Sequence, residues 1–153
     1  MRELRRKDRA IADLDAINIL TAGDFGVLST VDEDAQPYGV PLNYVYLDGS
    51  IYFHAAYAGH KIDNIAGNPQ VSFCVVGKNE VIAEQFTTRY ESVICYGKAG
   101  IVENEEKINA LVGLLEKYTP DHLEAGKKSI METLSRVAII KITIEHFSGK
   151  AHR

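Results

Sequence analysis

Tryptophan is absent, cysteine and methionine occur only twice each, and proline only four times in 153 residues. Cys74 and Cys95 lie far apart in strand-like runs. No disulfide framework is implied, so free buried thiols and a reducing, cytoplasmic setting are expected. No apolar run is long enough to span a membrane. The opening Met-Arg-Glu-Leu-Arg-Arg-Lys-Asp-Arg is not followed by an apolar stretch, so it does not read as a secretory signal. Net positive charge is missing too: the formal charge of -4 argues against non-specific nucleic-acid binding over the whole surface. Neither Gly-x-x-x-x-Gly-Lys-Ser/Thr nor Gly-x-Gly-x-x-Gly occurs, which removes a phosphate loop and a dinucleotide fingerprint. Repeats, low-complexity tracts and interdomain linkers are absent as well.

What is present is ordinary for a soluble globular protein: 46% hydrophobic and 25% charged residues, in a length that suits one domain over residues 1–153. Arg2, Arg5, Arg6, Lys7 and Arg9 crowd the start. They read as a solvated tail or helix face, or as a local anion contact across a dimer. A helix is expected over residues 8–22, with Ile11, Leu14, Ile17 and Leu20 in one stripe and Gly23 ending it. Strands follow over residues 25–31 and 38–46. The second places Val40, Leu42, Tyr44 and Tyr46 on one face and carries Pro41, the mark of an edge, a bulge or an unpaired amide. Asp48-Gly49 signals a tight hairpin into Ile51.

Further strands are expected over residues 70–76, buried on both faces, and 89–102, bent near Gly97 or Gly100. Residues 80–88 read as irregular or strand edge. Asn104 is the expected N-cap of a helix presenting Ile108, Leu111, Val112, Leu115 and Tyr118 and broken by Pro120. Asp121 starts another, reaching Leu134. A β-branched strand over residues 137–147 closes the chain. Meandering strands with few helices between them predict an α+β domain around a small antiparallel barrel.

Residues 51–69 stand out. Ile51 and Phe53 share one strand face, and Tyr52 and His54 the other. Small residues lead to Gly59, then Ile62 and Ile65 have helical spacing up to Gly67-Asn68-Pro69. His60 and Lys61 in the first turn oppose the helix dipole. That is a tolerated surface lysine, or an anion site where backbone N–H groups, dipole and Lys61 converge. Asp63 is a solvated helix residue or a partner for Lys61. His54, His60, His122, His146 and His152 lack metal-ligand spacing, so no metal site is expected. Ser29, Ser72 and Ser92 lack a nucleophile elbow. Tyr44, Tyr46, Tyr52, Tyr57 and His54 could flank a flat ligand, or simply pack in strands. A chain without its own nucleophile, metal or acid–base pair suits a bound cofactor.

The run Gln36-Pro37-Tyr38-Gly39-Val40-Pro41-Leu42-Asn43-Tyr44-Val45-Tyr46 resembles the nitroimidazole-resistance (Nim) proteins. So do Ile51-Tyr52-Phe53-His54, Gly59-His60-Lys61-Ile62-Asp63-Asn64-Ile65 and Asn68-Pro69-Gln70-Val71-Ser72-Phe73. Those proteins belong to the pyridoxamine 5′-phosphate oxidase-like flavin-binding superfamily. Phe86-Thr87-Thr88-Arg89-Tyr90-Glu91-Ser92-Val93, Gly97-Lys98-Ala99 and the ending Ile144-Glu145-His146-Phe147-Ser148-Gly149-Lys150 fit too, so the resemblance covers nearly the whole chain.

It implies a split β-barrel homodimer with FMN (or FAD) at the subunit interface and a small-molecule substrate, with no nucleic-acid or membrane partner. Lys61 keeps the phosphate-binding lysine of the family's turn. Val40 replaces a strand arginine and His60 a turn arginine. Phosphate binding would then rest on Lys61, His60, Gly59 and backbone N–H groups, with the N-terminal arginines as further candidates. By the same register Val40, Pro41, Leu42 and Asn43 line the flavin ring and ribityl chain. His54 and Ala55 flank the ribityl–phosphate region, Ser92 adds a polar contact, and His54 is the candidate catalytic residue.

The implied activity is flavin-dependent reduction of an electron-poor substrate such as a nitroimidazole. Oxidation of pyridoxamine phosphate itself is not expected, because the chain lacks the oxidases' C-terminal segment. The alternatives are a non-catalytic flavin-binding protein for storage, sensing or regulation, or a haem- or deazaflavin-binding relative. Haem would need His54, His60 or His146 as axial ligand.

Overall fold

The structure, a computed structural model, describes residues 2–153. Seven strands form one sheet: β1 (Gly26–Val31), β2 (Pro37–Leu42), β3 (Val45–Leu47), β4 (Ser50–Ala55), β5 (Gln70–Ile82), β6 (Thr87–Val102) and β7 (Ala138–His152). The α-helices are α1 (Asp13–Ala22), α2 (His60–Gly67), α3 (Asn104–Tyr118) and α4 (Leu123–Thr133). The strand order is β2-β1-β5-β6-β7-β4-β3, with every pair antiparallel. The two edge strands are consecutive in the chain, separated only by Asn43 and Tyr44, so the sheet must curl to bring its edges together. One core accordingly takes Leu28 from β1, Ile51 and Phe53 from β4, Phe73 and Val75 from β5, Val93 and Cys95 from β6, and Ile140 and Ile142 from β7. Val40, Leu42 and Tyr46 from the edge strands pack on the same cluster. The fold is an α+β split antiparallel barrel with peripheral helices. A second, smaller core lies between α3 and the outer face of β3, β4 and β7, where Val45, Tyr52 and Ile139 meet Ala110 and Leu114.

Several sequence expectations are corrected. Strand β2 stops at Leu42, because Asn43 and Tyr44 turn the corner. Tyr44 is fully buried, edge-on to Phe73 with centroids 5.0 Å apart, and its hydroxyl donates to the Leu20 carbonyl. Pro41 sits on an edge strand that, among the described residues, pairs with β1 alone, as a proline without an N–H donor suits. Helix α1 starts at Asp13, since Ala10 instead bridges Lys150 of β7. Its buried residues are Ala16, Ile19 and Leu20, Ile11 packs against the same core from ahead of the helix, and Leu14 is exposed.

Strand β5 buries Val71, Phe73 and Val75 but exposes Gln70 and Val76, so it is covered on one face. The segment read as irregular or strand edge is the end of β5, a 3-10 turn at Ala83–Gln85 and the start of β6. Asn104 is the first helical residue at φ 56°, and Glu103 is the cap. Helix α3 buries Lys107, Ala110, Gly113 and Leu114 most deeply, while Leu111 and Tyr118 of the expected stripe pack against the second core half-buried. The last strand runs on to His152, held by pairing with β6.

Cys74 is half-buried and Cys95 fully buried, and both are free thiols. Burial, helped by the neighbouring Cys74, pushes the Cys95 thiol up to about 12. The stabilising effect of keeping Cys95 protonated is complete below the ordinary thiol range. It is lost as pH rises from about 9 towards 12, where only the unfolded chain has already ionised. Native protein at pH 8 should therefore leave Cys95 unmodified by a thiol reagent, and both cysteines should react after denaturation. Rapid labelling of Cys95 in the native state would contradict the packing.

Candidate functional site

Residues 56–59 join β4 to α2. Gly59 is the N-cap at φ 135°, a conformation that residues with a Cβ rarely adopt, and a Cβ there would meet nothing within 4 Å. The cap contributes no side-chain acceptor. The first helical bond runs from the Asp63 N–H to the Gly59 carbonyl at 3.0 Å, which leaves the N–H groups of His60, Lys61 and Ile62 outside the helical ladder. Lys61 is half-buried and pairs with no carboxylate among the described residues.

Contacts on both sides of this terminus hold it in place. The His60 ring lies against the Tyr38 ring at the start of β2, centroids 4.0 Å apart. One turn on, Asn64 Nδ2 donates to the buried Thr30 Oγ1 of β1 at 3.0 Å. Ile65 is buried in the main core and Ile62 packs against it. The N-terminus of α2 thus opens beside the start of β2. A separate hollow of about 410 Å³ on the flank bearing His60 is lined by Asp32, Glu33, Asp34 and Asp63, and Lys61 does not line it. Its carboxylates repel anions, so the Lys61 flank is the one that favours them.

Val40 and Leu42 turn inward against the core, while Pro41 and Asn43 are exposed. The Asn43 amide donates to the Asp24 carbonyl at 3.0 Å, fixing the corner where β2 ends. At the same corner the Tyr118 hydroxyl accepts the Tyr44 N–H at 3.0 Å and donates to the Asp24 carbonyl at 2.6 Å. Ala55 is buried in the core and leads straight into the connection to α2. His54 is exposed opposite Ile139, on the outer face that α3 covers further along.

Ser92 is half-buried between Val76 and Lys150. It lies three strands from β2, about 14 Å across the sheet. One protomer joins Ala55 to Gly59, His60 and Lys61 through a short connection, sets His60 against Tyr38 of β2, and keeps Ser92 three strands from β2. The tyrosine lining does not assemble either. Tyr44 and Tyr52 are buried, the Tyr52 hydroxyl donates to Glu106 at 2.8 Å, and Tyr46 packs on the core. Of the basic N-terminal residues, Arg6 pairs with Asp8, Lys7 with Glu3, and Arg9 donates to the Tyr90 hydroxyl at 3.3 Å.

A family model described as pyridoxamine 5′-phosphate oxidase matches residues 13–151. The chain belongs to that family. Among solved structures, a candidate 5-nitroimidazole antibiotic resistance protein from Bacteroides thetaiotaomicron superposes with TM-score 0.77 at 25% identity, covering 93% of this chain and 86% of the other. An FAD-binding protein from Mesorhizobium loti gives TM-score 0.65 at 26% identity, covering 95% and 98%. An FAD- and haem-binding protein from Mycobacterium smegmatis gives TM-score 0.83 over 96% and 74% of the two chains, and at 14% identity shows the fold alone. No curated protein matches.

Within this family frame, sequence reasoning missed Tyr38 and the Asn64–Thr30 pin, both of which set the position of α2. It also missed Lys107. The available signal was its spacing: Lys107, Ala110 and Leu114 fall on one helical face, so a lysine shares the buried stripe. Among the described residues no cluster of three metal-binding side chains forms, and no helix is long and apolar enough to cross a membrane.

Proposed function

We propose that the chain binds FMN and acts as a flavin-dependent reductase on a small electron-poor substrate such as a nitroimidazole. The observation that carries this reading is the N-terminus of α2: a glycine cap, three N–H groups outside the ladder and a Lys61 with no carboxylate partner among the described residues, with His60 stacked on Tyr38 of the edge strand β2. These residues fit a phosphate monoester, which needs convergent donors and positive charge. Strand β2 beyond Tyr38 is long enough to run under a ribityl chain and ring. The likenesses to a nitroimidazole-resistance candidate and to an FAD-binding protein support the same reading.

FMN, when bound, supplies the hydride or electron transfer. The chain's own part is to hold and orient. Lys61 and the α2 N–H groups hold the phosphate, with His60 stacked on Tyr38 beside them. The exposed edge of β2 at Pro41 and Asn43 supports the ring, and His54 faces the substrate.

A homodimer belongs to the proposal. Val27, Cys74 and Ile94 form one cross-strand row on the outer face of β1, β5 and β6. With Val76 and Tyr96 they leave a contiguous apolar surface, Val76 being 56% exposed. Such a patch marks an association surface, and a partner there would bring its own Ser92 to the shared interface. The test is anaerobic steady-state turnover of the FMN-loaded protein with a reduced nicotinamide and a 5-nitroimidazole. Saturable turnover that needs FMN is expected. Tight FMN binding without turnover would overturn the reductase reading and leave a non-catalytic flavin protein.

A further inference from the structure

Lys107 is a lysine that has been taken out of water. It is only 4% exposed, on the inner side of the first turns of α3. Its ammonium donates to the Tyr57 hydroxyl at 3.0 Å and to the Leu134 carbonyl at 2.6 Å, and stands 3.9 Å from a Glu103 carboxylate oxygen. It also lies 5.5 Å from the centre of the Tyr57 ring. Burying a cation is unfavourable unless its donors are satisfied, and here they are spent on tying three segments together. One is α3 itself, one is the chain leaving α4, and the third is the connection between β4 and α2.

That third segment is the one that matters for the site. Residues 56–59 read Ala-Tyr-Ala-Gly and are all exposed. Two methyl groups and a glycine give the backbone little to grip with. Tyr57 is the one side chain of the four that can reach across, and both of its hydrogen-bonding partners, Lys107 and Glu103 at 3.5 Å, belong to the start of α3. Two residues later comes Gly59, whose positive φ aims the N–H groups of α2.

We propose that Lys107 is a positioning residue for the flavin phosphate, acting through Tyr57 to hold the Gly59-His60-Lys61 turn in its binding conformation. Lys107 touches no ligand itself. Its effect is to lower the ordering cost of the turn, so that the phosphate meets donors already in place. The inference rests on the phosphate reading of α2 and adds to it a support on a different helix.

The test compares FMN with riboflavin, which lacks the phosphate. The ratio of their dissociation constants isolates what the turn contributes, whereas general damage to the barrel weakens both alike. Tyr57→Phe removes the hydroxyl but leaves the Lys107–Leu134 bond and the ring in place, so it should fold normally. It is expected to cut the preference for FMN over riboflavin by about tenfold while riboflavin affinity and melting temperature stay near wild type. Lys107→Met is expected to cut the preference as much, and Lys107→Arg to restore part of it. A wild-type preference for FMN that Tyr57→Phe and Lys107→Met both retain would overturn this inference alone. Equal wild-type affinity for the two flavins would overturn the phosphate site and this inference with it.

Discussion

Replacing Lys61 with alanine is expected to weaken FMN binding by about 10- to 100-fold while leaving the fold intact, since one charge-assisted bond to phosphate is worth roughly 1.5–3 kcal/mol. Lys61 pairs with no carboxylate among the described residues. Its loss therefore breaks no ion pair in the free protein, and the whole effect should fall on the complex. Riboflavin affinity should be unchanged. The side chain is placed by α2, whose hold on the barrel comes from Ile62, Ile65, Asn64 and the His60–Tyr38 stack, and none of these involves the Lys61 ammonium. Titration with FMN, followed by quenching of flavin fluorescence, measures the change. Unchanged affinity would mean that the phosphate is held elsewhere.

Gly97→Ala is expected to destabilise the barrel by about 3 kcal/mol or more, at the upper end of overpacking effects. A Cβ at Gly97 would lie 2.0 Å from the Thr143 carbonyl oxygen and 2.9 Å from its carbon. Both are backbone atoms in β7, so no side chain can swing away to relieve the clash. The contact arises because the pairing of β6 with β7 shifts register between Tyr96 and Gly97, bringing the two backbones together. Gly100, three residues on, is the matched control: a Cβ there meets nothing within 4 Å, and Gly100→Ala should change stability by less than about 1 kcal/mol. Urea denaturation of the three proteins gives the comparison. Equal midpoints for Gly97→Ala and wild type would show that the bulge is not where the register places it.

The two glycines also show what could be read in advance. The sequence marks a bend near one of them, but only the partner strand decides which, because the close approach is to a residue 46 positions away, Thr143. Strand β4, the Asp48-Gly49 hairpin and α2 were legible because their signals are local: alternation, a left-handed turn residue and a glycine cap. The stripes of α1 and α3 were read in part: Leu20, Leu111 and Tyr118 do meet the cores, but the deepest positions also include Ala16, Ile19, Ala110 and Leu114. Which residues are covered most deeply depends on partners distant in the chain: Gly149 and the β7 bridge at Lys150 for the approach to α1, and Val45, Tyr52 and Ile139 for α3.

The candidate site divides in the same way. Gly59, His60 and Lys61 are consecutive and could be found by spacing. Tyr38 reaches His60 because it pairs with Thr30 of β1, the residue that Asn64 of α2 holds, and Lys107 reaches Tyr57 across 50 residues. The tyrosines that suggested an aromatic lining are mostly consumed by the fold, since a buried phenol needs a partner and the nearest ones are structural, such as Leu20 and Glu106.

The central claim is that this barrel carries a flavin held by the α2 turn. Its most direct test is the visible absorption spectrum of the purified protein after incubation with excess FMN and removal of the unbound fraction, with mass identification of what denaturation releases. The account predicts a yellow protein whose flavin bands shift on binding and which releases intact FMN. A colourless protein that retains no flavin, or one showing a haem spectrum instead, would contradict it.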